Sequence, residues 1–261
     1  MSFKDLNSYI LGIPFYKFTP SIELYCTLHQ IPLQRQILVS CSNVRQSRGR
    51  VIGEFFQDNR LFSDVLVFCD MDTICNIKQI ESLVINCSEE TPFISACIPY
   101  RQKSIENVYN FFFENDSNLI RKNKILEEKP PIFECDYSGF GLVAIHRSLL
   151  DKMTKKYGYV VSTSAIYPNL FSEYIEYNKS YLSEEILKKS FIKKYQNEEL
   201  WNELKPAILK LNREPSDIIN ILPETFSFCK RAREVGGKIL VMLNNGAGHL
   251  TENILKYEQS I

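Results

Sequence analysis

Short apolar runs and amphipathic segments alternate along the first half of the chain. The runs that resemble buried strands lie at 8–16, 36–40, 64–70 and 92–100. The segments whose apolar residues have helical spacing lie at 21–30, 46–57 and 77–84. Strands that alternate with helices pair in parallel and are covered by helices on both faces. The pattern therefore predicts an α/β fold, Rossmann-like, with a mostly parallel central sheet flanked by helices.

The second half of the chain is less regular. Strand-like runs at 108–116 and 139–146, the latter leading into a helix, predict a small antiparallel extension of the sheet. Two amphipathic patterns follow at 186–195 and 201–211, and Pro206 is expected to start or kink the second helix. The last units are a helix at 224–235, which Gly236 and Gly237 should end, and a strand at 238–243.

Composition narrows the class of protein. The chain has 261 residues, 44% of them apolar, which is enough for one large α/β domain. Basic and acidic residues balance at 31 each, so no global field attracts nucleic acid. The sequence holds neither a signal-peptide pattern nor 18 consecutive apolar residues, which predicts no membrane span. Its eight cysteines form no CxxC pair and are expected to be free thiols, which places the protein in the reducing cytoplasm.

The segment LVFCDMDTI, residues 66–74, ends an apolar strand with two aspartates. Ligands of parallel sheets bind at the carboxyl ends of the strands, where Asp70 and Asp72 fall. Strand alternation would put both carboxylates on one side and turn Met71 away. Because two close carboxylates repel each other, a divalent cation with a preference for oxygen ligands, Mg2+ or Mn2+, is the simplest partner.

Two other interpretations of the aspartate pair remain open. One aspartate can cap the following helix while the other is solvated. The pair is also used by phosphatases of the haloacid dehalogenase type, but Thr73 and Ile74 do not continue their usual pattern.

Five segments, in order along the chain, resemble one family. They are an opening strand with Ile13-Pro14, VRQSRGRVIGEFF at 44–56, the aspartate strand, CDYSGFGLVAIHRSLL at 135–150, and PETFSFCKRAREVGGKILVMLNNGAGHL at 223–250. Together they resemble nucleotide-sugar glycosyltransferases of the GT-A type (family 2-like), with a DxD motif, as in small enzymes of phages, large DNA viruses and bacteria. The resemblance implies one GT-A domain over 1–261, with a nucleotide-binding half at 1–100 and an acceptor-binding half at 101–261.

The resemblance also implies a metal-dependent activity in glycan biosynthesis. A sugar would pass from a nucleotide-sugar donor, in the first place a UDP-sugar, to a hydroxyl acceptor such as a glycan, preferably with inversion. Asp70, Asp72 and His249 would hold Mn2+ or Mg2+. The residues expected at the nucleotide and its sugar are Pro14, Arg48, Asp70, Met71, Asp72, Arg101, Gly139 and Gly141. A tight turn with positive φ would explain the two glycines equally well.

The catalytic base is the least defined part of the expected site. Glu224 matches the family's glutamate at the start of the late helix, but Thr225 stands where the aspartate base is expected. Glu224 as base, a shifted register and a retaining mechanism all remain open, and so does a role of Glu224 at the helix N-terminus alone. Asp136 is the second candidate base. The departure at Thr225 also leaves open a non-catalytic protein that binds nucleotide sugars or carbohydrates.

Overall fold

The structure is a computed structural model that describes most of the chain. It covers residues 9–15, 22–41, 43–57, 63–98, 111–112, 130–161, 166–177, 188–189, 191–193, 198–213, 218–249 and 255–256. Arg101 lies outside these ranges, and for His249 only the backbone is described.

Seven strands form the central sheet of the described part. They are β1 (Tyr9–Phe15), β2 (Gln36–Ser40), β3 (Val65–Cys69), β5 (Phe93–Ala96), β7 (Ile132–Cys135), β9 (Leu142–His146) and β14 (Ile239–Met242). Their order across the sheet is β2-β1-β3-β9-β5-β14-β7. All but β9 and β7 run in one direction. The predicted α/β class with a mostly parallel central sheet is confirmed.

Short antiparallel strands make smaller sheets, as expected for the second half of the chain. They are β4 (Thr73–Ile74), β6 (Phe111–Phe112), β8 (Tyr137–Ser138), β10 (Tyr159–Val161), β11 (Ile166–Pro168), β12 (Tyr174–Tyr177), β13 (Ile218–Leu222), β15 (Gly248–His249) and β16 (Leu255–Lys256). The order β16-β15-β4 builds a three-stranded sheet directly after β3.

Besides short helical stretches at 188–189 and 191–193, six α-helices have bounds within the described ranges. They are α1 (Ile22–His29), α2 (Val44–Gln57), α3 (Ile77–Asn86), α4 (Arg147–Tyr157), α5 (Glu198–Arg213) and α6 (Glu224–Glu234). The helix predicted from residue 46 begins at Val44 because Asn43 caps it, its side-chain oxygen accepting the N–H of Gln46 at 2.8 Å. Gly236, with φ of 83°, follows α6 as predicted.

Two expectations about regular structure need correction. Pro206 was expected to start or kink a helix; it does not start one, since α5 begins at Glu198 and continues through the proline, and a kink there stays a prediction. The strand-like run at 139–146 was assigned to a small antiparallel extension, but β9 lies inside the central sheet, between β3 and β5, and is antiparallel to both. Its residues Leu142 to Ile145 are all buried, as in a central strand, and a continuous apolar run does not tell which strands lie beside it.

Helix α2 packs closely on β1. A Cβ atom at Gly12 would lie 2.4 Å from Cγ1 of Val51, so this strand position accommodates only hydrogen. Gly49 approaches the ring of Tyr167 as closely, at 2.5 Å from a Cβ position, whereas at Gly53, one turn on, the nearest atoms are 3.4 Å away. These contacts fix the helix that carries Arg48.

The chain forms two compact units, Met1–Ser172 with Glu224–Ile261, and Glu173–Pro223. The first contains the central sheet and every predicted site residue. In the second, β12 pairs with β13, and Trp201 is buried against the ring of Phe191. The division into donor and acceptor halves at residue 100 stays a prediction.

Candidate functional site

The two aspartates lie on a turn, not on a strand. Strand β3 ends at Cys69, and the N–H of Thr73 donates to the carbonyl oxygen of Asp70 at 2.9 Å. Asp70, Met71, Asp72 and Thr73 therefore form a reverse turn at the carboxyl end of β3. The expectation that strand alternation orients both carboxylates was wrong, although Met71 does point into the core.

The loop before β9 holds this turn in place. The carbonyl oxygen of Gly141 accepts the N–H of Asp70 at 2.9 Å and the hydroxyl of Thr73 at 2.7 Å. Gly141 thus adjoins the site through its backbone. Positive φ is found at Gly158, Gly236 and Gly246 among the described glycines, so that explanation for Gly139 and Gly141 is wrong.

Arg48 binds the first aspartate. Its Nη2 lies 3.0 Å from Oδ1 and 2.8 Å from Oδ2 of Asp70, and its side chain is only 5% exposed. The guanidinium also lies over the ring of Phe140, 5.1 Å from its centroid, and 6.0 Å from that of Phe171. Arg48 lies near the N-terminus of α2. This end of the helix faces the carboxyl end of the parallel strands, because α2 follows β2 in the chain.

Glu224 lies at the same edge of the sheet. It is the first residue of α6 and half-buried, and its Oε1 is 3.7 Å from Nη1 of Arg48. Position 224 is the N-terminus of the helix that leads into β14, where an anionic side chain is favoured by the helix dipole. Asp70, Arg48 and Glu224 thus come from three separate elements and meet at one place.

The backbone of His249 joins the site from the far end of the chain. In the sheet β16-β15-β4, His249 is the antiparallel partner of Thr73, the residue after Asp72. Directly opposed residues of antiparallel strands have Cα atoms about 5 Å apart. The fold therefore brings together two segments that are 176 residues apart in sequence, since 249 − 73 = 176.

Asp136 is not brought to this place. It follows β7, whose last residue, Cys135, pairs with Ile239 at the beginning of β14, the edge opposite to that of Asp70. Its Oδ1 binds Nη2 of Arg233 at 2.7 Å. Arg233 lies in the last turn of α6, and nine residues of helix put its Cα roughly 13 Å along the axis from that of Glu224.

The remaining predicted residues have mixed positions. Pro14 is buried near the carboxyl end of β1, and the pairing of Gly12 with Phe68, extended by two residues, places it level with Asp70. Gly139 is half-buried and accepts a hydrogen bond of 3.4 Å from its neighbour Ser138.

Sequence reasoning missed three residues of this site. Phe140 and Phe171 surround the Arg48 guanidinium, and Thr73 fixes the turn. Phe140 has a signal in the sequence, since it is a large aromatic residue between two glycines. Phe171 has none, because it comes from a segment without a recognisable pattern.

The thiols that flank the turn are buried. The Sγ atoms of Cys69 and Cys75 lie 3.7 Å apart. The contact with the Cys75 thiol, together with burial, raises the pKa of Cys69 well above its usual value. The Cys69 thiol is therefore neutral at physiological pH and acts as a packing group.

The residues near the turn have donor groups of the chemical types that bind a divalent cation. Asp72 is half-buried beside Thr73, and the paired backbone of His249 brings a second donor residue to the same turn. Asp70 has both oxygens on Arg48. Among the side chains that the structure describes, a set that excludes His249, no group of three His, Cys, Asp or Glu residues is arranged to hold a metal ion.

Comparisons with known proteins give partial structural likenesses. No family model matches the chain, and no curated protein matches it. A crystal structure of A197 from STIV is 17% identical, with a TM-score of 0.38, over 56% of this chain and 68% of that one. A crystal structure of GalNAc-T7 with UDP, GalNAc and Mn2+ is 14% identical, with a TM-score of 0.43, over 94% of this chain.

The chain spans 38% of the length of the GalNAc-T7 chain that it matches. Within the described ranges, none of the helices combines the length and the apolar character needed to cross a lipid bilayer.

Proposed function

We propose that this protein is a metal-dependent glycosyltransferase of the GT-A type, which transfers a sugar from a nucleotide donor, preferably a UDP-sugar, to a hydroxyl group of an acceptor such as a glycan. The observation that carries the proposal is the meeting of Arg48, Asp70, Glu224 and the backbone of His249 at the carboxyl end of the parallel strands. This is the edge at which open α/β sheets bind their ligands.

The residues have separate roles in the proposed site. Asp72 and His249, with Asp70 beside them, would hold Mn2+ or Mg2+, which when bound offsets the negative charge of the leaving diphosphate. Glu224 accepts the proton of the acceptor hydroxyl as the sugar bond forms with inversion. The N-terminus of α2 contributes backbone N–H groups that favour an anionic donor.

Glu224 is preferred over Asp136 as base on grounds of position. Glu224 lies near Arg48 and hence near Asp70, whereas Asp136 pairs with Arg233 at the other end of α6. A base must lie within hydrogen-bonding reach of the acceptor hydroxyl, beside the donor.

A binding protein without catalysis is the second candidate. It is favoured by Thr225, which replaces the expected aspartate, and by the Arg48 guanidinium beside Glu224. Such a protein binds nucleotide sugars with the same residues but cleaves none.

One experiment separates these functions. The protein is incubated with a panel of nucleotide sugars, with Mn2+ or with a chelator, while donor binding is measured by calorimetry and donor hydrolysis by chromatography. An enzyme shows metal-dependent binding and slow release of the nucleoside diphosphate. Binding without release supports the second candidate, and the absence of any metal-enhanced binding contradicts both.

A further inference from the structure

Arg48 contacts three side chains of the site, more than a residue that only binds the donor would need. Its Nη2 binds Asp70, its Nη1 lies 3.7 Å from Glu224, and its guanidinium carbon lies over the Phe140 ring, 5.1 Å from the centroid. We propose that Arg48 is a positioning residue that joins the turn Asp70–Thr73 to the first turn of α6. It would keep the carboxylate of Asp70, at the donor, and that of Glu224, at the acceptor, in a fixed position relative to each other. This inference rests on the proposed function for its catalytic consequence.

The contact with Asp70 joins a buried guanidinium to a half-buried carboxylate. The side chain of Arg48 is 5% exposed and that of Asp70 is 21% exposed. A buried cation is stable only if it is paired, and removal of one partner leaves the other charge unpaired. The position of the Asp70 carboxylate is therefore set by Arg48 as long as the guanidinium itself is fixed.

The guanidinium is fixed by the packing of its helix. Val51 lies against Gly12 of β1, and Gly49 lies against the ring of Tyr167, so α2 is held on both sides of Arg48. The ring of Phe140 stabilises the guanidinium in this place, because a cation over the face of an aromatic ring is attracted to it. Arg48 is thus a rigid reference for the carboxylates that it touches.

The second terminal nitrogen of Arg48, Nη1, lies near Glu224. Among the described residues, Nε and Nη1 of Arg48 are buried and make no hydrogen bond. The distance of 3.7 Å from Nη1 to Oε1 of Glu224 exceeds hydrogen-bonding range by less than about 1 Å. A small rotation of the glutamate side chain completes this contact, which orients Glu224 without binding it tightly.

Replacement of Arg48 by lysine or methionine separates the contact with Asp70 from the contact with Glu224. R48K keeps one positive nitrogen for Asp70 but has no second nitrogen for Glu224. R48M keeps an apolar stem over Phe140 and loses both contacts. The matched control is R147M, because Arg147 also lies over a phenylalanine ring, Phe55 at 4.2 Å, but its hydrogen bonds within the described ranges go to backbone carbonyl groups.

The first measurement needs no donor. Thermal unfolding is compared for R48M, D70N, E224Q and the double variants R48M/D70N and R48M/E224Q. We expect R48M to lower Tm by about 5 °C or more, and D70N to cost much less in the R48M background than alone. E224Q should likewise lower Tm less in the R48M background than alone, by a smaller difference than D70N. Additive losses in both pairs would overturn the proposal.

The second measurement uses the donor selected by the hydrolysis assay. We expect R48K to lower kcat at least about tenfold while KM for the donor changes little, and R48M to raise KM as well. R147M should change neither constant at a temperature at which it is folded. Equal effects of R48K and R147M would contradict the positioning role. If the wild-type protein binds no nucleotide sugar, the proposed function fails, while the unfolding data still decide whether Arg48 couples the two carboxylates.

Discussion

The hydroxyl of Thr73 donates a hydrogen bond of 2.7 Å to the carbonyl oxygen of Gly141, and Thr73 is fully buried there. This bond connects the turn that carries the aspartates with the loop before β9. Thr73→Val keeps the shape of the side chain but removes the donor, so we expect a loss of about 1–2 kcal/mol in the free energy of unfolding. Urea denaturation measures it.

Thr73→Ser is the control for this prediction, since it keeps the hydroxyl and loses only a methyl group. The serine variant should bind nucleotide sugars more tightly than the valine variant. Equal donor affinity of the two variants would show that the bond to Gly141 does not support the site.

Asp72 and His249 should carry the metal dependence of donor binding. Asp72→Asn and His249→Ala each replace or remove a donor of the kind that Mn2+ prefers, so the affinity gained on adding Mn2+ should fall at least about tenfold. Calorimetric titration with and without Mn2+ gives this ratio. The matched control is Asp151→Asn, an exposed aspartate on α4. An unchanged ratio in Asp72→Asn would remove Asp72 from the metal site.

The two candidate bases can be distinguished by their position. Glu224→Gln should lower kcat about 100-fold or more while donor affinity is retained, because only proton transfer is affected. Asp136→Asn should keep kcat within a few fold, since its partner is Arg233 at the other end of α6. The opposite result, loss of turnover in Asp136→Asn alone, would assign the base to Asp136.

The close approach of β1 and α2 predicts a stability effect far from the chemistry. A Cβ at Gly12 would lie 2.4 Å from Cγ1 of Val51, so Gly12→Ala should cost about 1–3 kcal/mol, measured by urea denaturation. The second change Val51→Ala should restore part of the loss. The comparison variant is Gly53→Ala, where the nearest atoms are 3.4 Å away and the helix gains propensity, so stability should stay equal or rise.

Buried thiols predict how stability depends on pH. Burial raises the pKa of Cys87 and of Cys229 to about 12, above the value of about 8.5 of a thiol in an unfolded chain. The unfolded chain therefore releases protons first, and this contribution to stability is complete below pH 8.5 and declines as the pH rises toward 12. We expect Tm to fall between pH 8.5 and 10, and to fall less in Cys87→Ser.

Thiol labelling tests the same burial directly. All eight cysteines are free, and only Cys26 and Cys41 are not buried. At pH 8 a thiol reagent should modify these two rapidly and the others only after unfolding. Rapid reaction of any thiol in the double variant C26S/C41S would contradict the buried positions.

The arrangement of strands and helices was largely readable from the sequence. The alternation of apolar runs and helical spacing predicted the strands β1, β2, β3 and β5 and the helices between them, because side-chain periodicity follows directly from backbone geometry. The place of β9 in the middle of the central sheet was not predicted, since a fully buried apolar run does not tell which strands lie beside it.

The sequence predicted which residues belong to the candidate site better than it predicted their contacts. Arg48, Asp70 and Glu224 were named from their motifs, but their mutual contacts were not foreseen. The expectation for Asp136 came from its glycine-rich neighbourhood, and sequence neighbourhood does not tell at which edge of a sheet a strand ends. Phe171 was missed because contacts between distant segments leave no local periodicity.

The sequence by itself determined the α/β class, most of the elements and the position of two aspartates at the end of a buried strand, because these depend on local periodicity and composition. Only the tertiary structure decided that these aspartates lie on a turn held by Gly141, that Arg48 binds Asp70, and that His249 pairs with Thr73. The physical reason is that these contacts join residues far apart in the chain, and they exist only after the packing of α2 and the order of the strands have brought their backbones together.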